Sequence, residues 1–480
     1  MKTTLAEQLA QFAVGLTYED LPSEVVKEVK RRIIDSLGCA FGAWNEEPCV
    51  IARKVAGHFS TREGATLLGT DEHVPTDWAA FANGCLVRYF DYNDTYLSKE
   101  PAHPSDNIPA AIAVAESVGA SGKELITAIV LGYEIQCRLA DAASIRARGW
   151  DHVTYGAFST TLLAAKLMKL DVEKTRQAVN IAGVAGVALR QSRVGELSHW
   201  KGVAFGNAAR HGVYAALLAR EGMTGPSPIF EGEKGFEKLV SGPLTDFKLP
   251  TADYGLRKND FMIVKTSIKY WPAEYHSQSA IEAALKLRHR IGENPEIESV
   301  VVQSHDASVD IIGSEPEKWR PTSRETADHS LPYIVAAALM DGEISSEQFD
   351  SKRIADPELR ALVQKVKIER HTELSSMYPG AVGNIVTVKL KDGTTHNERV
   401  DHPRGHAKNP MTDMEVEAKF HILADPFLGN ERSKSLASLV WKLDEVPHIS
   451  ELLSLTKKGG VARLTQTIVS AITGPVPKPK

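Results

Sequence analysis

DYNDTYLSKEPAHPSDN, residues 91–107, crowds Asp91, Asp94, Thr95, Lys99, Glu100, His103, Ser105 and Asp106 between two apolar runs. The run before it, TDWAAFANGCLVRYF (76–90), and the run after it, IPAAIAVAESVGA (108–120), both read as helices. A polar connector between two core helices has two readings. It is a site carried on rigid elements, or a solvated link whose Asp and Ser residues cap the second helix. Local chemistry alone leaves both open.

The neighbouring stretches extend the helical pattern. Residues 1–16 place Leu5, Leu9, Phe12 and Leu16 on one side, an amphipathic helix rather than a secretory signal. Val26, Val29, Ile33 and Leu37 recur at helical spacing after Pro22-Ser23. Thr76 is the expected N-cap of the helix entering the connector, and Ser121 with Glu124 forms a capping box before ITAIVLGYEIQCRLA. YGAFSTTLLAAKLMKL, EKTRQAVNIAGVAGVAL and AFGNAARHGVYAALLAREGM follow, rich in Ala and Gly, which lets helices approach closely. Few alternating β-branched runs interrupt them, so a parallel α/β sheet is not expected.

Composition shifts after Gly222, and from about Lys265 the pattern is mixed. IESVVVQSH (297–305) reads as a strand, SLPYIVAAALMDG (330–342) as a helix. NIVTVKLKDGTTHNERV (384–400) reads as a hairpin, with Asp392-Gly393 suited to a type I′ turn. The expected fold is mainly α with an α+β second domain. Residues 1–266 form a helical domain on which residues 406–470 pack back, residues 267–405 form a smaller α+β lid, and residues 471–480 are a frayed tail.

Bulk properties bound the function. A chain of 480 residues is too long for one compact core of usual size. Basic and acidic residues number 56 and 61, a net charge of -5, which argues against a nucleic-acid partner. No run approaches the roughly 20 apolar residues of a membrane span, so cytoplasm is the expected location. Cys39, Cys49, Cys85 and Cys137 are scattered without a CxxC pair, and no HExxH accompanies the 16 histidines, so no metal site is expected.

Four more polar spots interrupt apolar surroundings. They are His152 and Thr154 in GWDHVTYG; Arg190, Arg193, His199, Lys201, Arg210 and His211 around 190–212; Lys269, Glu274 and His276 in IKYWPAEYHSQSA; and His329, Ser330 and Tyr333 in TADHSLPY. Each has a bland alternative as cap, core residue or solvated cation. Together they suit a pocket for a polyanionic small molecule, with Lys and Arg holding carboxylates and His or Asp moving a proton.

The motifs DYNDT (91–95), HPSDN (103–107), KGVAFGNAA (201–209), KYWPAEYHSQ (269–278) and DHSLPY (328–333) resemble the MmgE/PrpD family along most of the chain. That family includes 2-methylcitrate dehydratase, cis-aconitate decarboxylase and an iminodisuccinate epimerase. The resemblance implies a homodimer, a large helical domain with an α+β lid, a small polycarboxylate substrate, and no metal or organic cofactor. Positions matching the decarboxylase branch are Asp91, Thr95, His103, His152, Lys201, Lys269 and Tyr333, while the wording of PAEYHSQ and DYNDT…HPSDN is similar to the dehydratases. EPAHPSDNIPAA departs from the tryptophan- and glycine-rich form of some dehydratases. What the resemblance implies is a cofactor-independent lyase of propionate metabolism that dehydrates a 2-hydroxy tricarboxylate. Lys201 and Lys269 would clamp carboxylates, and His103 or His152 would act as base. Asp91 would orient His103, and Tyr333 or the second histidine would protonate the departing hydroxide. Thr95, Arg193, His276 and Ser105 would bind substrate. The alternatives are cis-aconitate decarboxylation, epimerisation of an amino dicarboxylate, and a non-catalytic binding protein on the same fold.

Overall fold

A computed structural model describes residues 3–250, 260–292 and 295–458. The tail predicted at 471–480 lies outside the described residues, as does the last part of 406–470. Among the described residues, nine α-helices build the first half: α1 (Leu5–Gly15), α2 (Ser23–Gly42), α3 (Glu47–Gly57), α4 (Thr76–Arg88), α5 (Ile108–Ser117), α6 (Gly122–Ala142), α7 (Val153–Leu167), α8 (Val172–Ala185) and α9 (Trp200–Arg220). Two strands of two residues each, β1 (Ala65–Thr66) and β2 (His73–Val74), pair antiparallel between α3 and α4.

Small residues let these helices meet backbone to backbone. A methyl group on Gly84 of α4 would lie 3.1 Å from the Cα of Gly206 on α9. One on Gly156 of α7 would fall 2.3 Å from the ring of Phe205. Overpacking of this kind costs about 1–3 kcal/mol. Gly156→Ala should therefore lower the urea midpoint by the equivalent of about 1–3 kcal/mol. A change below about 0.5 kcal/mol, the usual scale for a featureless surface site, would mean that Phe205 swings aside freely.

The capping box forms before α6. Ser121 Oγ accepts from the Glu124 N–H at 3.3 Å, and Glu124 Oε2 accepts from the Ser121 N–H at 2.8 Å. Thr76 instead occupies the first helical position of α4, behind Pro75, and its side chain makes no capping bond.

The second half holds a four-stranded sheet in the order β4-β3-β5-β6, built from β3 (Ile297–Ser304), β4 (Val366–Arg370), β5 (Asn384–Leu390) and β6 (Thr395–Val400). β3 pairs parallel with β4 and antiparallel with β5. β4, VKIER, has too little apolar alternation to stand out in sequence. The β5–β6 hairpin forms, but its turn differs from the type I′ expected. Gly393 has φ +89° and Asp392 does not adopt positive φ, so the left-handed position falls on glycine alone. Asp392 accepts from the Thr394 N–H at 2.8 Å instead.

Two hydrophobic cores result. The first joins α1–α9 with Val416, Phe420, Leu436 and Val440 from the helices Asp413–Leu428 and Asn430–Trp441. The second lies between the sheet, α10 (Gln278–Ile291) and the helix Leu331–Asp341. The connector at 91–107 and the segment at 266–271 meet where these two bodies join.

Candidate functional site

The connector is not a solvated link: Asp91, Asn93, Asp94, Thr95, Glu100, His103, Ser105 and Asp106 are all buried. Buried polar groups need partners. Thr95 and Ser267 exchange backbone hydrogen bonds of 2.8 and 2.9 Å, which clips the connector to the segment carrying Lys269. Asp94 accepts from the Ser105 N–H at 2.9 Å and from the Tyr133 hydroxyl at 2.6 Å. Ser105 Oγ accepts from Asn93 Nδ2 at 2.8 Å, so this expected substrate ligand is spent on the framework.

Asp91 stands at the centre, with φ +50°, a conformation that Asp tolerates better than most residues. Its carboxylate accepts from Arg88, one helical turn back, and from Lys269 Nζ, which also donates to the Asp91 carbonyl at 2.7 Å. Lys201 Nζ and His329 Nε2 lie 3.5 and 3.3 Å from its other oxygen. Lys201 also donates to Asp328 Oδ1 at 3.1 Å and lies 2.9 Å from His329 Nδ1. His329 Nδ1 is 2.6 Å from the same Asp328 oxygen, a separation that requires the ring N–H to donate. Burial alone would raise the Asp91 pKa, but Arg88, Lys269 and Lys201 overcome it and hold Asp91 well below the usual carboxylate range. Burial pulls Lys269 down, opposed by Asp91. Both lysines are thus buried and matched to protein carboxylates. The lysines expected to clamp substrate hold Asp91 and Asp328.

The two histidines come together. His103 Nδ1 lies 2.8 Å from the Asp94 carbonyl and 3.2 Å from Thr95 Oγ1. A carbonyl only accepts, so Nδ1 carries the proton and Nε2 keeps a lone pair. Asp94 and Thr95, not Asp91, therefore orient His103. His152 Nδ1 lies 3.1 Å from Asp151 Oδ1, and its buried Nε2 has no partner among the described residues. The ring centroids are 5.7 Å apart, edge to face. Burial, then Arg88 and Lys269, hold His103 well below its ordinary range, and burial pushes His152 down to about 3 against the pull of Asp151. Arg193 binds the second oxygen of Asp151 through Nε at 2.9 Å and donates from Nη1 to the Lys201 carbonyl at 3.1 Å.

On the other body, His276 Nδ1 lies 2.6 Å from Glu274 Oε1, with Nε2 3.4 Å from the Tyr378 hydroxyl. The Glu274 N–H donates to the Asp328 carbonyl at 2.9 Å, joining this pair to the Asp91 cluster. Tyr333 does not join. Ser330 caps the helix Leu331–Asp341, so Asp328 and His329 stay outside at the site while Tyr333 enters the second core. Its hydroxyl donates to the Gln348 carbonyl.

Arg88, Asp151 and Asp328 were not among the sequence candidates, and Glu274 and His329 were noted without a catalytic role. The signal for Asp328 and His329 was an Asp-His pair directly before a Ser cap. Lys419 also lies here unforeseen. Its ammonium donates to the carbonyls of Tyr92 and Lys269 at 2.7 and 2.9 Å and sits 2.6 Å from Asp35, tying a C-terminal helix to both site segments.

Residues 7–247 match the MmgE/PrpD N-terminal domain and residues 271–445 the MmgE/PrpD C-terminal domain. The chain belongs to the MmgE/PrpD family. The second match runs through the helices Asp413–Leu428 and Asn430–Trp441, which pack into the first core. Among curated relatives of this MmgE/PrpD chain, cis-aconitate decarboxylase of Mus musculus is 29% identical over 95% of this chain and 94% of its own. The 2-methylcitrate dehydratase of Escherichia coli K12 is 30% identical over 88% and 91%. That of Cupriavidus necator is 30% identical over 78% and 81%. Both named activities are lyase reactions, and this MmgE/PrpD member is an enzyme of that kind. Among the described residues, no helix is long and apolar enough to cross a membrane.

Proposed function

We propose that this chain removes water from a 2-hydroxy tricarboxylate such as 2-methylcitrate, giving a cis-aconitate-type alkene. The observation that carries the reading is the histidine pair: two rings 5.7 Å apart, each with Nδ1 anchored and Nε2 left over. Elimination needs a base for the carbon-bound proton and an acid for the departing hydroxide. His103 Nε2 takes the proton from the carbon beside a carboxylate. The electron pair forms the new double bond as the carbon–oxygen bond breaks. The imidazolium then returns a proton to the hydroxide, releasing water. Negative charge develops beside the cluster of Arg88, Lys201 and Lys269, whose field favours it.

In the same reading, residues 267–405 act as a lid over residues 1–266 and 406–470. The enzyme works in the cytoplasm as a homodimer without metal or organic cofactor. Exposed Leu189 and Trp200 supply apolar surface for a partner. A second reading, decarboxylation of cis-aconitate, draws on the mouse relative that covers 95% of the chain. Incubation of the enzyme with 2-methylcitrate, citrate and cis-aconitate, followed by NMR, decides between them. Alkene formation from a hydroxy acid without carbon dioxide is expected. Carbon dioxide from cis-aconitate, with the hydroxy acids untouched, would replace dehydration by decarboxylation.

A further inference from the structure

With Lys201 and Lys269 matched to Asp91 and Asp328, a polycarboxylate needs positive charge from elsewhere. Residues 146–151 and 188–193 supply it. Trp150 and Leu189 form an antiparallel bridge, Asp151 N–H donates to the Ala188 carbonyl at 2.8 Å, and Arg190 N–H to the Gly149 carbonyl at 2.9 Å. These bonds bring Arg190 and Arg193 beside His152, with Arg146 next to Arg190.

Their side chains differ in what they do. Arg148 lies over Gly242, its Nη2 2.8 Å from where a Cβ there would stand. Arg193 spends Nε and Nη1 on Asp151 and Lys201, but its Nη2 is buried with no partner among the described residues. Arg146 and Arg190 are half-buried. Among the described residues, neither guanidinium makes a hydrogen bond or an ion pair within 4.0 Å. Their nearest compensation is Glu100, whose Oε2 already accepts from Ser144 and from the N–H groups of Ile145 and Arg146, with Oε1 unpaired. Arg190 is an electrostatic neighbour of His152, and Arg146 of Tyr378 on the opposite body. Three guanidinium groups therefore face two carboxylates, Glu100 and Asp151. Half-buried cations without partners are costly to hold together, and a bidentate carboxylate relieves that cost.

We infer that Arg146 and Arg190, with the free Nη2 of Arg193, form the subsite for a substrate carboxylate beside the histidine pair. The inference rests on the polycarboxylate reading above and replaces the lysines as the groups that hold the acid. Of the groups involved, His103 keeps its role as the proton-transfer group with His152 beside it, and the arginines bind without reacting.

Calorimetric titration of the full chain with propane-1,2,3-tricarboxylate, alongside steady-state kinetics on whichever acid the wild type turns over, tests this. Arg190→Gln and Arg146→Gln should each weaken binding and raise KM by about tenfold or more, as expected for loss of a charge-assisted fork, with kcat within about threefold. Arg148→Gln makes the same charge change on the same loop and should leave both unchanged. Should a Gln variant fail to fold, Arg190→Lys keeps the charge, loses the fork and should show an intermediate KM. Wild-type binding matched by Arg190→Gln and Arg146→Gln overturns the subsite alone. Absence of wild-type binding to any tri- or dicarboxylate overturns both the subsite and the reading it rests on.

Discussion

Asp91→Asn is expected to lower kcat at least about 100-fold and to remove about 3–5 kcal/mol from the free energy of unfolding. Asn keeps the size of the side chain and tolerates the left-handed backbone found at this position, so neither volume nor φ explains a loss. What changes is charge. Asp91 is the shared acceptor for Arg88 and Lys269 and lies within 3.5 Å of Lys201 and His329. Removing one member of a buried ion pair leaves its partners uncompensated. That loss exceeds what the intact pair contributes relative to an apolar substitute. Lys269 is the most affected, because its remaining acceptor among the described residues is the Asp91 carbonyl. With its counter-charge gone, the depression that burial already imposes on Lys269 deepens, and the ammonium loses its proton more readily. Urea denaturation and steady-state kinetics on the same preparation check both effects. A variant within about 1 kcal/mol of wild type in stability, the size of an ordinary exposed ion pair, would show that Asp91 is not the hub of the cluster.

The helical half and its mixed second part were legible because periodicity and composition are local. Val26, Val29, Ile33 and Leu37 repeat at the spacing of one helix face, and all but the marginal Val26 are almost wholly buried on α2. β4 was not legible, since its VKIER owes its place to pairing with β3 rather than to its own pattern. At the site, the motif residues Asp91, His103, His152, Lys201 and Lys269 were named from sequence, but their partners could not be. Arg88 reads as the polar end of a helix, and its role depends on the turn at Asp91. Tyr333 and His329 are four residues apart in one motif, yet the Ser330 cap sends them to opposite sides, a decision made by backbone geometry. The lysines were read as free cations because charge is visible in a sequence and compensation across 100 or more residues is not.

His103→Asn should reduce kcat by about 100-fold or more, within the usual range for loss of a general base, while stability changes by less than about 1 kcal/mol. The small stability effect follows from the hydrogen bonds. Asn can place an amide N–H where Nδ1 donates to the Asp94 carbonyl, but it has nothing to replace Nε2. The pH dependence carries the stronger test. The groups facing His103 are Arg88, Lys269, Asp91 and His152, and burial with the first two outweighs Asp91, so its protonation is suppressed. In the free enzyme the ring is a neutral base at every pH above its depressed pKa. Wild-type kcat/KM should therefore stay level as pH falls through about 6.5, the ordinary histidine value, and decline only at more acid pH. Bound substrate adds carboxylates, which favour the imidazolium and raise that pKa. The acid limb of kcat should consequently lie at higher pH than the limb of kcat/KM. In His103→Asn the residual rate should lose the acid limb that belongs to His103. An acid limb centred near about pH 6.5 in kcat/KM, the same in both proteins, would assign the proton transfer to a solvated histidine elsewhere. A kcat within about threefold of wild type would remove His103 from the chemistry and leave His152 as the ring that must be tested in its place.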